Sequence, residues 1–339
     1  MAYREPDFDH LLRLSDDVGI LEHARGPVPL RDHGYCVDDA ARGLIVVCRE
    51  PDPGPDLVAL AGILLAFLVH AAHPSGAFHN RLGYDRRWTD TPEVGDWWGR
   101  AVMALGTAAG RAPAPWMRVS AVRAFECAAH QRSASLRAMA YAGIGAAELL
   151  ATRPDHVAAR QLLIDATTTV NPIRGRADWP WPEPRLAYGN AVLAEVHLAA
   201  GAALRDPGAT AVGERLLAWL IAQETLQGHL SPVPVGGWAP GEPRPAFDQQ
   251  PIEAAAIADA CARAAVGCDD PQWTNGLRLA VTWFLGDNDS GTSLMDDETG
   301  GGADGLTRDG RSANQGAEST LALLSTLQHG RRLSRASDG

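Results

Sequence analysis

Apolar residues recur at spacings of three and four over most of the chain, in Ala-rich runs, while the strict alternation of a half-buried strand is scarce. The pattern predicts twelve helices, near 8–22, 37–50, 56–72, 94–110, 115–130, 134–151, 155–170, 185–203, 208–226, 248–266, 270–286 and 313–329. Pro and Gly clusters separate them, as at Pro51-Asp-Pro-Gly-Pro55, Pro113-Ala-Pro115, Asp206-Pro-Gly208 and Asp270-Pro271.

The connections alternate in kind. Those leaving even-numbered helices are short, whereas several that enter them are long: 72–93, 171–184, 227–247 and 287–311. Long irregular loops are uncommon in a compact domain unless they serve a function. These carry Gly, Pro, Trp, His and Asp, the composition of a binding rim. The repeating unit is a helical hairpin of roughly 40–65 residues, present six times with little internal identity. Six hairpins close into an all-α, (α/α)6 toroid, with the even-numbered helices inside and their N-termini opening on one face with the long loops. An open solenoid is the alternative; closure is preferred because no polar terminal cap repeat is evident. Residues 1–330 then form one domain and 331–339, with Arg331, Arg332 and Arg335, a flexible tail.

Composition narrows the class. The chain is 46% hydrophobic and 21% charged, as a globular protein is, and its net charge of −11 disfavours nucleic acid or an anionic membrane as partner. The longest apolar run, 59–69, is too short to span a bilayer. Five scattered cysteines without CxxC spacing, and an N-terminus without an apolar signal core, point to a reduced, cytoplasmic protein. The pattern sets no oligomeric state.

The polar residues concentrate at the starts of the inner helices. Asp38 and Asp39 are followed one turn later by Arg42, and comparable starts are Glu93-Val-Gly-Asp-Trp-Trp-Gly-Arg100, Ser133-Ala-Ser-Leu-Arg137, Glu183-Pro-Arg-Leu-Ala-Tyr-Gly-Asn190, Asp248-Gln-Gln-Pro-Ile-Glu253 and Asn314-Gln-Gly-Ala-Glu-Ser319. One cap would suffice for a helix. Six over-furnished starts on one face describe a shared polar cavity.

Three of these stretches carry a resemblance. Tyr35-Cys-Val-Asp-Asp-Ala-Ala-Arg42, Trp179-Pro-Trp-Pro-Glu183 with Tyr188-Gly-Asn-Ala191, and Asn314-Gln-Gly-Ala-Glu-Ser-Thr-Leu-Ala322 together resemble a bacterial family of six-hairpin, glycosidase-like proteins. Its members often carry a glycosyltransferase or hypothetical-glycosidase label. The resemblance spans roughly residues 8–329 and implies an (α/α)6 toroid acting on carbohydrate. Ala40 stands where the family commonly has Asn, Pro182 where an aromatic precedes the Glu, and Gly189 where a polar residue precedes Asn190, so substrate identity does not carry over. No glycosyltransferase domain fits beside twelve helices.

Glycoside cleavage needs one carboxylic acid to protonate the departing oxygen and one carboxylate to activate water or attack carbon. The expected catalytic candidates are Asp38, Asp39, Glu183 and Asp248. Neighbouring helical residues point about 100° apart, so one aspartate faces the cavity while the other caps the helix or pairs with Arg42; Asp39 is taken as the cavity-facing one. Glu183, beside Trp181, has the apolar setting that raises a carboxyl pKa, though it also suits an ordinary helix start. Asp248 with Gln249, Gln250 and Glu253 can grip sugar hydroxyls, or act as an N-cap and its capping-box partner. Trp97, Trp98, Trp179 and Trp181 can serve as sugar platforms or as core residues. His33, His79, Asn80, Arg100 and Asn190 would meet hydroxyls. Asn314 and Gln315 precede Gly316, which permits close backbone approach, and Glu318 is placed to brace Arg42 or Arg100.

The run Asp296-Asp-Glu-Thr-Gly-Gly-Gly-Ala-Asp-Gly305 lacks EF-hand spacing and reads as a flexible rim loop or lid. No metal or cofactor is expected. The leading reading is an inverting glycoside hydrolase acting on an oligosaccharide or glycoconjugate. A glycoside phosphorylase using Arg42, Arg100 or Arg137 as anion clamp, a sugar epimerase, an unsaturated-uronide hydrolase and a non-catalytic carbohydrate-binding ring are the alternatives. A zinc-dependent toroid is disfavoured because Cys36 and Asp38 stand in the wrong order for the usual Asp-x-Cys pattern.

Overall fold

The computed structural model describes residues 4–171, 179–266, 268 and 270–337; part of the expected 171–184 loop lies outside them. The chain opens with α1 (Asp9–Leu14), β1 (Leu21–Arg25) and β2 (Val28–Cys36), then α2 (Val37–Arg49) and α3 (Pro55–Ala71). After β3 (Arg81–Leu82) come α4 (Asp96–Arg111), α5 (Pro115–Ala128), α6 (Leu136–Thr152), α7 (Val157–Thr169), α8 (Val192–Leu204) and α9 (Pro207–Gln223). The ribbon β4 (Thr225–Leu226) and β5 (His229–Leu230) precedes α10 (Pro251–Ala264) and α11 (Pro271–Phe284). A second ribbon, β6 (Leu306–Thr307) and β7 (Gly310–Arg311), precedes α12 (Ala317–Ser337).

The even-numbered helices pack side by side in sequence order, and α12 returns to α2. The inner circle is therefore closed, as the hairpin count implied. Each of α3, α5, α7, α9 and α11 lies outside the inner helix that precedes it, and α1 completes the outer layer against α12 and α3. Burial separates the layers: α6 buries 13 of its 17 residues, whereas α3, of equal length, buries 8. Five outer or inner helices begin with Pro at the first turn, where its missing N–H costs nothing.

Helices α4 and α6 approach until only glycine fits between them. A β-carbon on Gly106 would lie 2.0 Å from the Gly145 carbonyl oxygen, and one on Gly145 would lie 2.4 Å from that of Val102. Both helices are locked in the ring, so backbone has nowhere to yield.

Several expected boundaries shift. The helix expected over 8–22 stops at Leu14, and residues 21–36 form an antiparallel hairpin turning at Gly26-Pro27, with Leu21 opposite Tyr35 and Arg25 opposite Val28. Helix α8 starts at Val192 rather than near 185, and α10 at Pro251 rather than 248, because Pro251 takes the first helical position. The supposed tail is largely helical: α12 continues to Ser337, and Arg331 is buried with its guanidinium 2.8 and 2.9 Å from the two Glu50 oxygens. An acid at the C-terminal end of α2 gives that arginine a partner, which the local sequence does not reveal. Among the described residues no helix is long and apolar enough to cross a membrane.

The close contact predicts that Gly145→Val lowers stability by roughly 2–3 kcal/mol in denaturant unfolding through overpacking. Gly236→Ala, with nothing within 4 Å of the new methyl group, should leave the unfolding midpoint unchanged.

Candidate active site

Strand β2 ends at Cys36 in extended conformation and runs directly into α2, whose first N–H, on Val37, donates to the Asn80 carbonyl. The first turn therefore presents Asp38 and Asp39 in different directions. Asp39 is buried: its Oδ1 accepts from Arg42 at 2.6 Å and its Oδ2 from the Cys36 thiol at 3.1 Å. Arg42 also donates to Glu318 Oε2 at 2.5 Å, so one guanidinium joins the first inner helix to the last. Asp38 pairs with Arg100, its Oδ1 lying 3.1 Å from Nε, and that guanidinium stacks 4.1 Å from the centre of the Tyr141 ring.

Exposure reverses the sequence expectation for the two aspartates. The side chain of Asp38 is 21% exposed and that of Glu318 40%, against 3% for Asp39. Burial is the largest influence on Asp39; Arg42 opposes it and the charge of Glu318 reinforces it, leaving the carboxyl raised to about 6. Burial likewise pushes the Cys36 thiol well above its ordinary range.

These groups line a cavity of about 570 Å³ at the N-terminal ends of the inner helices. Its walls add Asp96 and Arg100 from α4, Gln250 ahead of α10, Tyr188 from the loop before α8, Glu22 and His23 from β1, Arg81 from β3, and Asp304. Carboxylates outnumber arginines there, with Glu22, Asp38, Asp39, Asp96, Asp304 and Glu318 against Arg42, Arg81 and Arg100. Asp96 accepts from the Ser135 hydroxyl at 2.9 Å and from the Tyr188 hydroxyl, and makes no ion pair among the described residues. Tyr188, 43% exposed, is the open aromatic surface of the wall, with Arg137 4.5 Å beneath its ring.

Of the expected site residues, the cavity gathers Asp38, Asp39, Arg42, Arg100, Gln250 and Glu318. The others serve the frame. Glu183 is held by both Nη atoms of Arg137, at 2.6 and 2.8 Å, the geometry of a structural ion pair and not of a free proton donor. Trp98 is fully buried and Trp97 donates to the Phe78 carbonyl. Trp179 and Trp181 pack with Trp219, and Trp179 with Trp238, in a buried aromatic cluster. None of these four lines the cavity as a platform. Gln249 is fully buried, accepting from the Trp283 indole and donating to the Ala246 carbonyl. Asp248 is exposed outside the cavity.

Asn190 and Glu253 form a clamp. The Glu253 carboxylate accepts the Gly189 and Asn190 N–H groups and the Asn190 amide, which delays α8 and sets Tyr188 at the cavity wall. His79 stacks on Trp88, and Asn80 supports the start of α2. His33 is exposed beside His23, its ring centre 4.6 Å away. Asn314 accepts from the Gly26 N–H, and Gln315 is buried, bonding Thr299 and Asp296. In the acidic run, Asp296 closes a turn by accepting from the Glu298 and Thr299 N–H groups, while Asp304 accepts from Gly316 and reaches the cavity.

Glu22 escaped the sequence reading because it fell at the end of the helix expected over 8–22, His23 because it lay just beyond that helix, and Asp304 because its run was read as a flexible rim loop or lid. Tyr188 stood in a recognised motif without an assigned role. Glu22, Cys36 and Asp39 bring ligand-type atoms within 4.8 Å of one another. Arg81 bonds Glu22 and Arg42 bonds Asp39, so fixed guanidinium charges already compensate both carboxylates.

No protein-family model matches the sequence, and no curated protein matches it. Solved structures do. A sugar epimerase from a ruminal bacterium superposes with a TM-score of 0.72 at 11% identity, over 96% of this chain and 95% of its own. Cellobiose 2-epimerase from Spirochaeta thermophila gives 0.68 at 14%, over 96% and 93%. A cellulase of C. cellulolyticum in complex with cellobiose gives 0.64 at 10%, over 93% and 88%. The toroid is the fold they share. Identity this low carries the ring and not the chemistry.

A buried acid pair behind the clamp yields a stability prediction. Burial raises the carboxyls of both Glu224 and Glu253, and the charge of Glu253 adds to the rise at Glu224. The folded chain therefore holds protons more tightly than the unfolded chain above the ordinary glutamate value of about 4.3. Their contribution is greatest in acid and is lost as pH rises through their raised folded values. Thermal unfolding between pH 5 and 8 should show a falling midpoint, and Glu224→Gln should flatten that slope.

Proposed function

We propose that this chain is a carbohydrate-active enzyme, an inverting glycoside hydrolase in its simplest form, with Asp38 and Glu318 as working carboxylates. The supporting observation is the unequal environment of three carboxyls in one cavity. Asp38 has Arg100 to itself and suits the anionic base that activates water. Asp39 and Glu318 share the single charge of Arg42, and Asp39 is raised to about 6. Glu318 is the member of that cluster open to the cavity. It would protonate the departing glycosidic oxygen, with Asp38 as the base. Tyr188 offers its open face to a pyranose ring.

Epimerisation is the second reading, and His23 is the observation that favours it. Its exposed imidazole stands on the same cavity wall, and an imidazole can serve as the base or acid that moves a proton on and off carbon.

Hydrolysis predicts that a glycan panel yields new reducing ends. Asp38→Asn and Glu318→Gln should each lower kcat by about 10²–10⁴-fold with KM little changed. The pH profile of kcat/KM should be a bell whose alkaline limb falls from about pH 6, where Asp39 loses its proton. Products that differ only in hydroxyl configuration, lost in His23→Ala and retained in Glu318→Gln, would instead establish the epimerase. Sugar binding with no turnover on any glycan would reduce the ring to a binding module.

A further inference from the structure

We propose that the end of the ring opposite the candidate active site holds a second site, which binds a small polyanion bearing phosphate or carboxylate groups. A cavity of about 930 Å³ opens there, at the C-terminal ends of the inner helices α6, α8 and α10. Its charged lining is Arg111, Arg160, Arg205 and Arg263 against Glu148 and Glu214, an excess of two positive charges on a chain whose net charge is −11.

Two of the four arginines belong to the frame. Arg263 bonds Glu195 at 3.0 Å and Glu148 at 2.9 Å, and Arg111 lies 3.3 Å from Glu148. Both stand near helix C-termini, where cations are favoured. The other two have no such reason. Arg160 lies in the first turn of α7, the end of a helix that repels a cation, and among the described residues donates only to the Pro154 carbonyl. Arg205 is exposed and has no hydrogen-bond or ion-pair partner among the described residues.

Arg205 is also conformationally expensive. It caps α8 in the left-handed region, φ 57° and ψ 46°, a position that glycine takes freely and a β-carbon resists. That backbone geometry closes α8, letting the Asp206 N–H donate to the Gly201 carbonyl at 3.0 Å, while the guanidinium is left without a bond among the described residues. The planar guanidinium fork matches phosphate and carboxylate oxygens in pairs.

Calorimetric titration of the full chain at low salt, with pyrophosphate in one arm and citrate in the other, tests the site. Saturable binding of one anion per chain is expected, weakened at least 10-fold by Arg205→Gly and by Arg160→Ala. Arg205→Gly relieves the left-handed strain, so its unfolding midpoint should not fall, and lost binding cannot then be blamed on misfolding. Preference for pyrophosphate marks a phosphate ligand, and preference for citrate a carboxylate one. Absence of saturable binding overturns the site. So does binding that survives both substitutions, or binding that Arg100→Ala abolishes, which would move the anion to the other end of the ring.

Discussion

The ring depends on its seam. Five of the six inner-helix contacts join neighbours in sequence, but α12 must return across the whole chain to α2, and that closure is made by a column of polar contacts. Arg42 joins Asp39 to Glu318 at the cavity. Two helical turns deeper, Arg49 meets Asp259 and Ser325, and His329 lies 2.6 Å from Asp259. At the far end Gln328 donates to the Val46 carbonyl, and Arg331 grips Glu50. Buried ion pairs of this kind add little net stability, because desolvation offsets attraction, but losing one partner costs about 3–5 kcal/mol. What they add is register: a one-turn slip of α12 would leave several charges buried without partners.

The same seam makes the site. Between α4 and α6 the inner helices meet through glycine, at Gly106 and Gly145, where backbone contact leaves no room for a functional side chain. At the seam Arg42 lies between α2 and α12, and Asp38, Asp39 and Glu318 line one volume. The guanidinium that bridges α2 and α12 is therefore also the cation that opposes the rise of the Asp39 carboxyl. Stability of the ring and acidity of the site cannot be tuned independently at Arg42.

Helical period and loop length were enough to read the ring, its inner and outer layers and the face that carries the cavity, because each depends on local pattern. Six over-polar helix starts also located Asp38, Asp39, Arg42, Arg100 and Glu318. The reading failed where identity was decided across the fold. Glu183 looked like an acid in an apolar setting until Arg137, 46 residues earlier, took both its oxygens. The paired tryptophans looked like sugar platforms because loop aromatics and core aromatics share one composition; only Trp219 on the facing helix shows Trp179 and Trp181 to be core. Glu22 lay in a stretch whose hairpin depends on pairing with residues up to Tyr35, a contact that helical periodicity cannot register.

The two ends of the ring differ in charge for a reason rooted in helix direction. Inner N-termini attract anionic side chains and inner C-termini attract cationic ones, so an (α/α)6 toroid tends towards an acidic mouth and a basic base. Here the mouth carries six carboxylates against three arginines and the base four arginines against two carboxylates. Between them Glu195, Asp259 and Arg49 line a smaller cavity of about 80 Å³ that shares Arg42, Arg100 and Glu318 with the mouth. Arg263 in turn bonds Glu195 from the basal side. Between base and mouth the charges close on themselves in separate groups, Arg263 with Glu195 and Glu148, Arg49 with Asp259, and Arg42 with Asp39 and Glu318, so neither end of the ring relies on the other for charge compensation.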